Sequence, residues 1–500
     1  MPNLTLNYGI RYDLDSPRTE RFNRMNYFDP DVATPLSSYM SGITGGLVYI
    51  GVNGKSRHQY HVDWNNIAPR VGFSWSVTPS TVVHAGSGII YGASNQAASG
   101  DATPTGWRQT NTWVSSLDGI TPYHTIDNPF PDGFPTITPV KSGVLTGAGN
   151  SIAGVIQHSP TPYTIQWSLD IQRSLPYNMT ADVAYIGNRG RQLITSFESQ
   201  ESWDQLPVEQ LSQGSALQKS VANPFYGNSA MTGSLAASTT TAGQLLLKYP
   251  QFSNVEIYHL MGGDSQYDGL QITLNKRMSS GLQLSGSYVW SKNFDQNSAH
   301  QNSFKPKADY AISAQDINQR VVVSYIYKLP FGRNQRRLFS LPTWGDDLIG
   351  GWQINGITTI QGGQPLQVTA SNTLSAFNFQ QLNANTNHQN PSYSGAVKNR
   401  LSKYFNTSDF SQPHSFTLGN GPAYYNSLRS PGTNNTDLSM YKDLSLPDKV
   451  NLELRVESYN TFNHPQFGSP NTSVTSSSFG SITSQANSPR QLQFGAKIMF

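Results

Sequence analysis

The sequence predicts an all-β fold, a transmembrane antiparallel β-barrel of outer-membrane type, and three observations carry that prediction. Stretches with period-two alternation recur along the chain and most run about ten residues, the length a tilted strand needs to cross a bilayer; ordinary globular strands cluster at about five or six. The connections between these stretches alternate between long and short. The chain ends on Gln491-Leu492-Gln493-Phe494-Gly495-Ala496-Lys497-Ile498-Met499-Phe500. There Leu492, Phe494, Ala496, Ile498 and Phe500 share one face and Gln491, Gln493 and Lys497 the other, as a strand between lipid and a wet lumen requires.

In chain order, about twelve stretches read as strands. The first, 3–14, carries Tyr12 near its end, and 70–78 carries Trp75 before the Pro79-Ser80 turn into 81–92. In 162–174, Tyr163, Ile165, Trp167, Leu169 and Ile171 alternate with Thr164, Gln166, Ser168, Asp170 and Gln172, and no charge falls on the apolar side. Pro176-Tyr177 turns the chain into 178–188, with Tyr185. Stretch 266–277 passes through Met278-Ser279-Ser280 into 281–292, with Trp290, and 319–329 carries Tyr327. The connection from Pro330 to Ile349 is the longer exception among the short ones before 350–361, with Trp352. Stretch 436–445 turns at Pro447-Asp448 into 449–462, which sets Val450, Leu452, Leu454 and Val456 against Asn451, Glu453, Arg455 and Glu457 and ends on Phe462. The last stretch is 490–500. Aromatics near strand ends fit interfacial girdles. The long connections are 15–69, 93–161, 189–265, 293–318, 371–435 and 463–489. Barrels of this type keep short turns at the periplasmic end and long loops outside, which puts the start of the chain and Phe500 at the periplasmic end.

Composition agrees. Charged residues are 13% of the 500, against the roughly 25% of a typical soluble domain, while 25 Tyr, 22 Phe and 43 Gly supply a surface of few charges. The net charge is +3 with Lys and Arg dispersed, so no phosphate-neutralising stripe points to nucleic acid. Without cysteine there are no disulfides, thiolate chemistry or Cys-based metal sites. The longest apolar run, Val321 to Tyr327, falls far short of the roughly 18 to 20 residues of a membrane helix. Met1-Pro2-Asn3-Leu4-Thr5 shows no basic region followed by an apolar core, so no export signal is visible there.

Blocks along the chain resemble the TonB-dependent outer-membrane receptors of the Oar-like group, in which a carboxypeptidase-regulatory-like domain and a plug precede the barrel. They are Leu4 to Tyr12, Asn66 to Phe73, Tyr185-Ile186-Gly187-Asn188-Arg189-Gly190, Tyr267 to Leu270 running to Arg277, Ser287 to Lys292, Leu329 to Arg333, Gly351-Trp352-Gln353-Ile354-Asn355-Gly356 and Phe462 to Gly468. Such receptors close about 22 strands around a plug, and this chain offers about 12 to 14. The resemblance therefore implies that 1–500 is the C-terminal part of such a barrel, with plug and regulatory-like domain absent. It also implies location in the outer membrane of a Gram-negative bacterium. The partners it implies are outer-membrane lipid, the barrel assembly machinery reading Phe494 and Phe500, and TonB through the missing N-terminal part. An incomplete sheet leaves two unpaired edges, so such a chain alone either closes as a smaller barrel or fails to insert.

No Gly-x-Ser-x-Gly elbow, phosphate-binding loop or His-Glu-x-x-His motif occurs, so the chain reads as no enzyme and needs no cofactor. His58 and His61 have helical metal-pair spacing but lie in a long loop, and read as surface histidines. Asp316 and Arg320, at the entry to a strand, read as a pair that orients a loop, with pairing across the lumen as the alternative, and Arg333, Arg336 and Arg337 read as a solvated periplasmic turn. The ligand-contacting candidates are loop aromatics: Trp107, Trp113, Tyr123, Trp203, Tyr404, Phe405, Tyr424 and Tyr425. Flat rings interleaved with amides suit an oligosaccharide or a peptide. The expected function is capture and import of an extracellular nutrient using inner-membrane energy. The alternative is a surface adhesin or passive pore without a plug.

Overall fold

The structure is a computed structural model that describes residues 3–92, 107, 114–130, 133, 142–195, 200–296, 300–332, 342–446 and 450–500. All twelve alternating stretches form strands: β1 (Leu4–Tyr12), β2 (Ile67–Thr78), β3 (Thr81–Tyr91), β4 (Tyr163–Leu175), β5 (Met179–Ile194), β6 (Met261–Ser279), β7 (Leu282–Asp295), β8 (Gln319–Lys328), β9 (Trp352–Gln361), β10 (Thr433–Ser445), β11 (Asn451–Tyr459) and β12 (Gln491–Met499). Each pairs antiparallel with the next, and a short strand, Ala311–Ile312, adds to β7 to complete a 13-stranded sheet. The sheet is not closed: among the described residues, the outer edges of β1 and β12 have no strand partner.

Register turns the period-two pattern into two continuous faces. Leu4, Trp75, Val83, Ile171, Val183, Ile272, Tyr288, Val321 and Ile360 are successive cross-strand partners, an unbroken apolar row over nine strands. One residue along, on the other face, the row reads Thr5, Ser74, His84, Asp170, Ala184, Gln271, Val289, Arg320 and Gln361. The C-terminal strands repeat the split, with Tyr327, Ile354, Met440, Val456 and Phe494 against Ile326, Asn355, Ser439, Glu457 and Gln493. Large apolar side chains on the first face are left open, Leu6 at 66% and Phe494 at 74% exposed. A patch of this extent is untenable in water and is what hydrocarbon requires.

Two glycines of the apolar face have a specific reason. A Cβ on Gly187 would meet the indole of its cross-strand partner Trp167 at 2.1 Å, and one on Gly356 would meet the Tyr325 ring at 2.6 Å. Each aromatic lies flat across the neighbouring strand and shields its backbone. Lys276 and Lys442, also on this face, sit near the short-turn end and reach for polar groups there: Lys276 Nζ donates to the Tyr177 carbonyl at 3.0 Å, and Lys442 Nζ donates to the Gly350 carbonyl. Their stems stay along the apolar surface while the ammonium groups leave it.

Differences from the sequence-based expectation lie at the strand ends and in the connections. Strands β5 and β6 run beyond the expected 178–188 and 266–277 through irregular pairing near Gly190 and Gly263. The 330–349 connection carries a helix, Thr343–Ile349. The long connections contain small sheets: Asn26–Ala33 with Thr44–Tyr49, Ser151–Gly154 parallel to Asn254–Tyr258, Ser220–Ala222 with Thr239–Thr241, and Pro365–Leu366 with Tyr425–Arg429. Around them, residues from different loops bury shared apolar cores, such as Phe28, Leu47, Ile152, Tyr249, Phe252 and Val255. Together these loops form a cap at one end of the sheet.

Candidate functional site: the polar wall and its cap

Two concavities on the polar face of the sheet are lined by described residues. One, of about 620 Å³, lies over β2 to β6, where Gly86 and Gly88 leave the wall without side chains. Arg70 is the cross-strand partner of Gly88, and Gln166, Asn188 and Tyr267 continue the same row. The other, of about 420 Å³, lies over β7 to β11 and is lined by Gln283, Asn355, Asp437 and Glu457. Beside it Arg455 sits 3.0 Å from Glu453 and 3.9 Å from Glu457, with its guanidinium 5.7 Å from the Tyr441 ring centre. This wall therefore offers a solute one basic and one acidic recess, floored by hydroxyls, amides and bare backbone.

The cap is stitched by buried polar groups that the sequence did not single out. Gln301 donates from Nε2 to the Gly419 carbonyl at 2.9 Å and accepts at Oε1 from the backbone N–H groups of Asn383 and Gly419. Gln205 donates to the Gln301 carbonyl and accepts from the Ser303 N–H at 2.7 Å. Three connections are thereby locked together, and each bond satisfies a backbone group that burial would otherwise orphan. Asp316 is fully buried and paired with Arg429 at 2.6 Å, while its other oxygen accepts from the Asn293 N–H. The expected Asp316–Arg320 pairing is thus corrected: Arg320 lies on the polar wall, and Arg429 reaches Asp316 from the last long loop but one.

Asp204 has no exposed surface. Its Oδ1 accepts from the Tyr249 N–H at 2.9 Å, and Oδ2 has no hydrogen-bond partner among the described residues. Burial pushes its carboxyl up to about 7, against the Tyr249 and Lys248 amides and the Lys248 ammonium, which favour the charged form. Asp118, in contrast, is held far below the usual carboxylate range by the Thr121 and Ile120 N–H groups, which tie the exposed 116–121 turn.

The loop aromatics divide. Tyr123 is exposed in the 93–161 connection, and Tyr424 is partly exposed on the cap. Trp107 is partly buried with the Arg24 guanidinium 5.8 Å from its ring, and Trp203 packs edge-on to Phe28 at 6.0 Å under Lys248. Phe405 is wholly buried, and Tyr404 and Tyr425 nearly so, in one cluster with Phe410 and Leu428. These three are the cap's own core, because the loops that carry them pack on one another. Trp113 lies outside the described residues, as do Arg333, Arg336, Arg337 and the Pro447-Asp448 turn. His58 and His61 are exposed, and among the described residues no group of three His, Asp or Glu could hold a metal. Phe494 sits on the apolar face of β12 and Phe500 just beyond its end.

Comparisons with known proteins follow the same line. The family model described as outer membrane beta barrel domain matches residues 1–493. Comparison with curated protein sequences gives no match. Among solved structures, the chain is similar to the outer membrane transporter YddB from Escherichia coli, with 10% identity and a TM-score of 0.43 over 91% of this chain and 42% of that one. It is similar to the FrpB iron transporter from Neisseria meningitidis, F3-3 variant, with 9% identity and a TM-score of 0.38 over 100% of this chain and 44% of that one. It is also similar to the ferripyoverdine receptor of the outer membrane of Pseudomonas aeruginosa, with 9% identity and a TM-score of 0.37 over 90% and 34%. It spans less than half the length of each. The chain belongs to the outer membrane beta barrel domain family and is a protein of the bacterial outer membrane.

Proposed function

We propose that this member of the outer membrane beta barrel family supplies wall and cap to a TonB-dependent receptor of the Oar-like group, one that captures a nutrient outside and imports it with inner-membrane energy. The observation that carries the reading is the joining of two surfaces in one chain. A polar wall with a basic and an acidic recess runs the length of the strands, and a cap with its own cores stands over one end. An adhesin has use for the cap alone, and a passive pore for the wall alone. Ligand contact on this reading falls to Tyr123 and Tyr424, with Trp107 and Trp203 behind them, and an oligosaccharide or peptide is the solute class their rings and the neighbouring amides suit.

The test compares cells with and without functional TonB, each expressing the gene that encodes this chain, for surface binding and for entry of labelled oligosaccharides and peptides. Binding that persists without TonB while entry stops supports the receptor. Entry that continues without TonB refutes it in favour of a passive pore, and binding without entry in either strain refutes it in favour of an adhesin. Tyr123→Ala and Tyr424→Ala should weaken capture without lowering the amount of folded protein.

A further inference from the structure

We propose that a pocket at the rim of the apolar belt, outside the lumen, holds the sugar headgroup of a neutral glycolipid of the outer leaflet. The pocket has a volume of about 590 Å³. Its floor belongs to the lipid-facing rows: Ile89 pairs directly with Ile165, and Tyr91 with Tyr163, whose rings are 5.5 Å apart. Its roof comes from two long connections zipped together by the His61 N–H donating to the Gln157 carbonyl at 2.9 Å and the Thr161 N–H donating to Asp63 Oδ2 at 3.1 Å. On that roof the His61 and His158 rings stack at 4.2 Å with 25° between their planes.

The side of the pocket is formed by Gln192, a non-glycine residue at φ 55 in the irregular upper part of β5. Left-handed backbone in a strand is held against an energetic cost and marks a place where a side chain is being re-aimed. Chemistry selects the occupant. Stacked imidazoles and phenol rings offer flat apolar faces to a pyranose, while Asn65, Gln192 and Asp63 offer donors and acceptors for its hydroxyls. The described lining contains a carboxylate and no Lys or Arg, and the arginines that border it, Arg191 beside Tyr163 and Arg189 beside Ile165, are already paired with Asp264 at 3.5 Å and Asp268 at 3.2 Å, so little free positive charge draws a phosphate. Position selects its source: acyl chains attached to a sugar here would run down the lipid-facing side over Ile165 and Ile89, so one molecule fills both halves of the pocket.

The test reconstitutes the full product of the gene that encodes this chain in nanodiscs of phosphatidylcholine with equal fractions of monogalactosyl diacylglycerol and phosphatidylglycerol and counts retained lipids by native mass spectrometry. The expected result is retention of the galactolipid over phosphatidylglycerol by about tenfold, a difference an amphiphile with both halves seated readily supplies. That preference should be lost in the His61→Ala/His158→Ala double variant and in Gln192→Gly, which keeps the backbone conformation while removing the amide. Heat-modifiable migration establishes that each variant is folded. Equal retention of the two lipids, or an unchanged preference in both variants, overturns the proposal. Displacement of the galactolipid by millimolar methyl galactoside overturns the lipid source.

Discussion

A single arginine placed on either face of β4 tests the whole assignment of faces. Leu169 is the middle residue of Tyr163–Leu175, lies on the apolar face and is partnered by Ala85 and Tyr185. Ser168, its neighbour, lies on the polar face between Gly86 and Ile186, where a long side chain has room. An arginine facing lipid at the bilayer midplane costs about 2 to 4 kcal/mol, or about 30- to 800-fold in the folding equilibrium, whereas one facing the lumen costs little. Leu169→Arg and Ser168→Arg should therefore differ by that amount, although the sites adjoin in sequence. The assay is reversible urea unfolding from thin phosphatidylcholine vesicles, followed by tryptophan fluorescence and heat-modifiable migration. Equal stability of the two variants, or a larger loss for Ser168→Arg, would refute the assignment.

Removing Phe500 should lower the yield of outer-membrane protein several-fold at unchanged expression, read by fractionation; an unchanged yield counts against an assembly role for the terminal aromatic. Gly187→Val should destabilise the sheet by about 1 to 3 kcal/mol, because the new side chain must displace Trp167 from its place over β5, and Trp167→Ala in the same background should recover part of the loss. Asp204 gives the cap a pH dependence of definite sign. Its folded value of about 7 lies above its ordinary 3.8, so the folded cap holds the proton more tightly than the unfolded one and loses stability as pH rises across that interval, levelling off above it. Protease resistance of the cap should fall from pH 4 to pH 7 in the native chain and stay level in Asp204→Asn; parallel curves would assign the effect to other groups.

The wall was legible in the sequence because each of its strands announces itself. Alternation over about ten residues is a local signal, and the cross-strand rows follow once neighbours pair in order. The cap was not legible for the converse reason. Its strands run two to eight residues, too short to show a period, and some of its pairings, such as Ser151–Gly154 against Asn254–Tyr258, join segments from different loops. Hence Tyr404, Phe405 and Tyr425 read as loop aromatics open to a ligand, although they fill the centre of a core that only the assembled loops create. Gln205, Gln301 and Asp204 were invisible likewise, since what singles them out is burial. The family blocks gain a physical content from the structure: Gly187 and Gly356 stand in two of them because Trp167 and Tyr325 occupy the space a side chain would take.

The stitching of the cap also orders its assembly in time. Wall hairpins such as β2–β3 and β4–β5 close over turns of a few residues, whereas the bond from Gln251 to the Thr44 carbonyl spans 207 positions and that from Asn378 to the Asp204 carbonyl spans 174. Contacts between residues so far apart in the chain bear the full entropy of loop closure until the strands beneath have brought the loops together. Closure at the short turns therefore favours the wall hairpins ahead of the cap, and the expected folding order has a stage in which strands are paired while the mouth stands open.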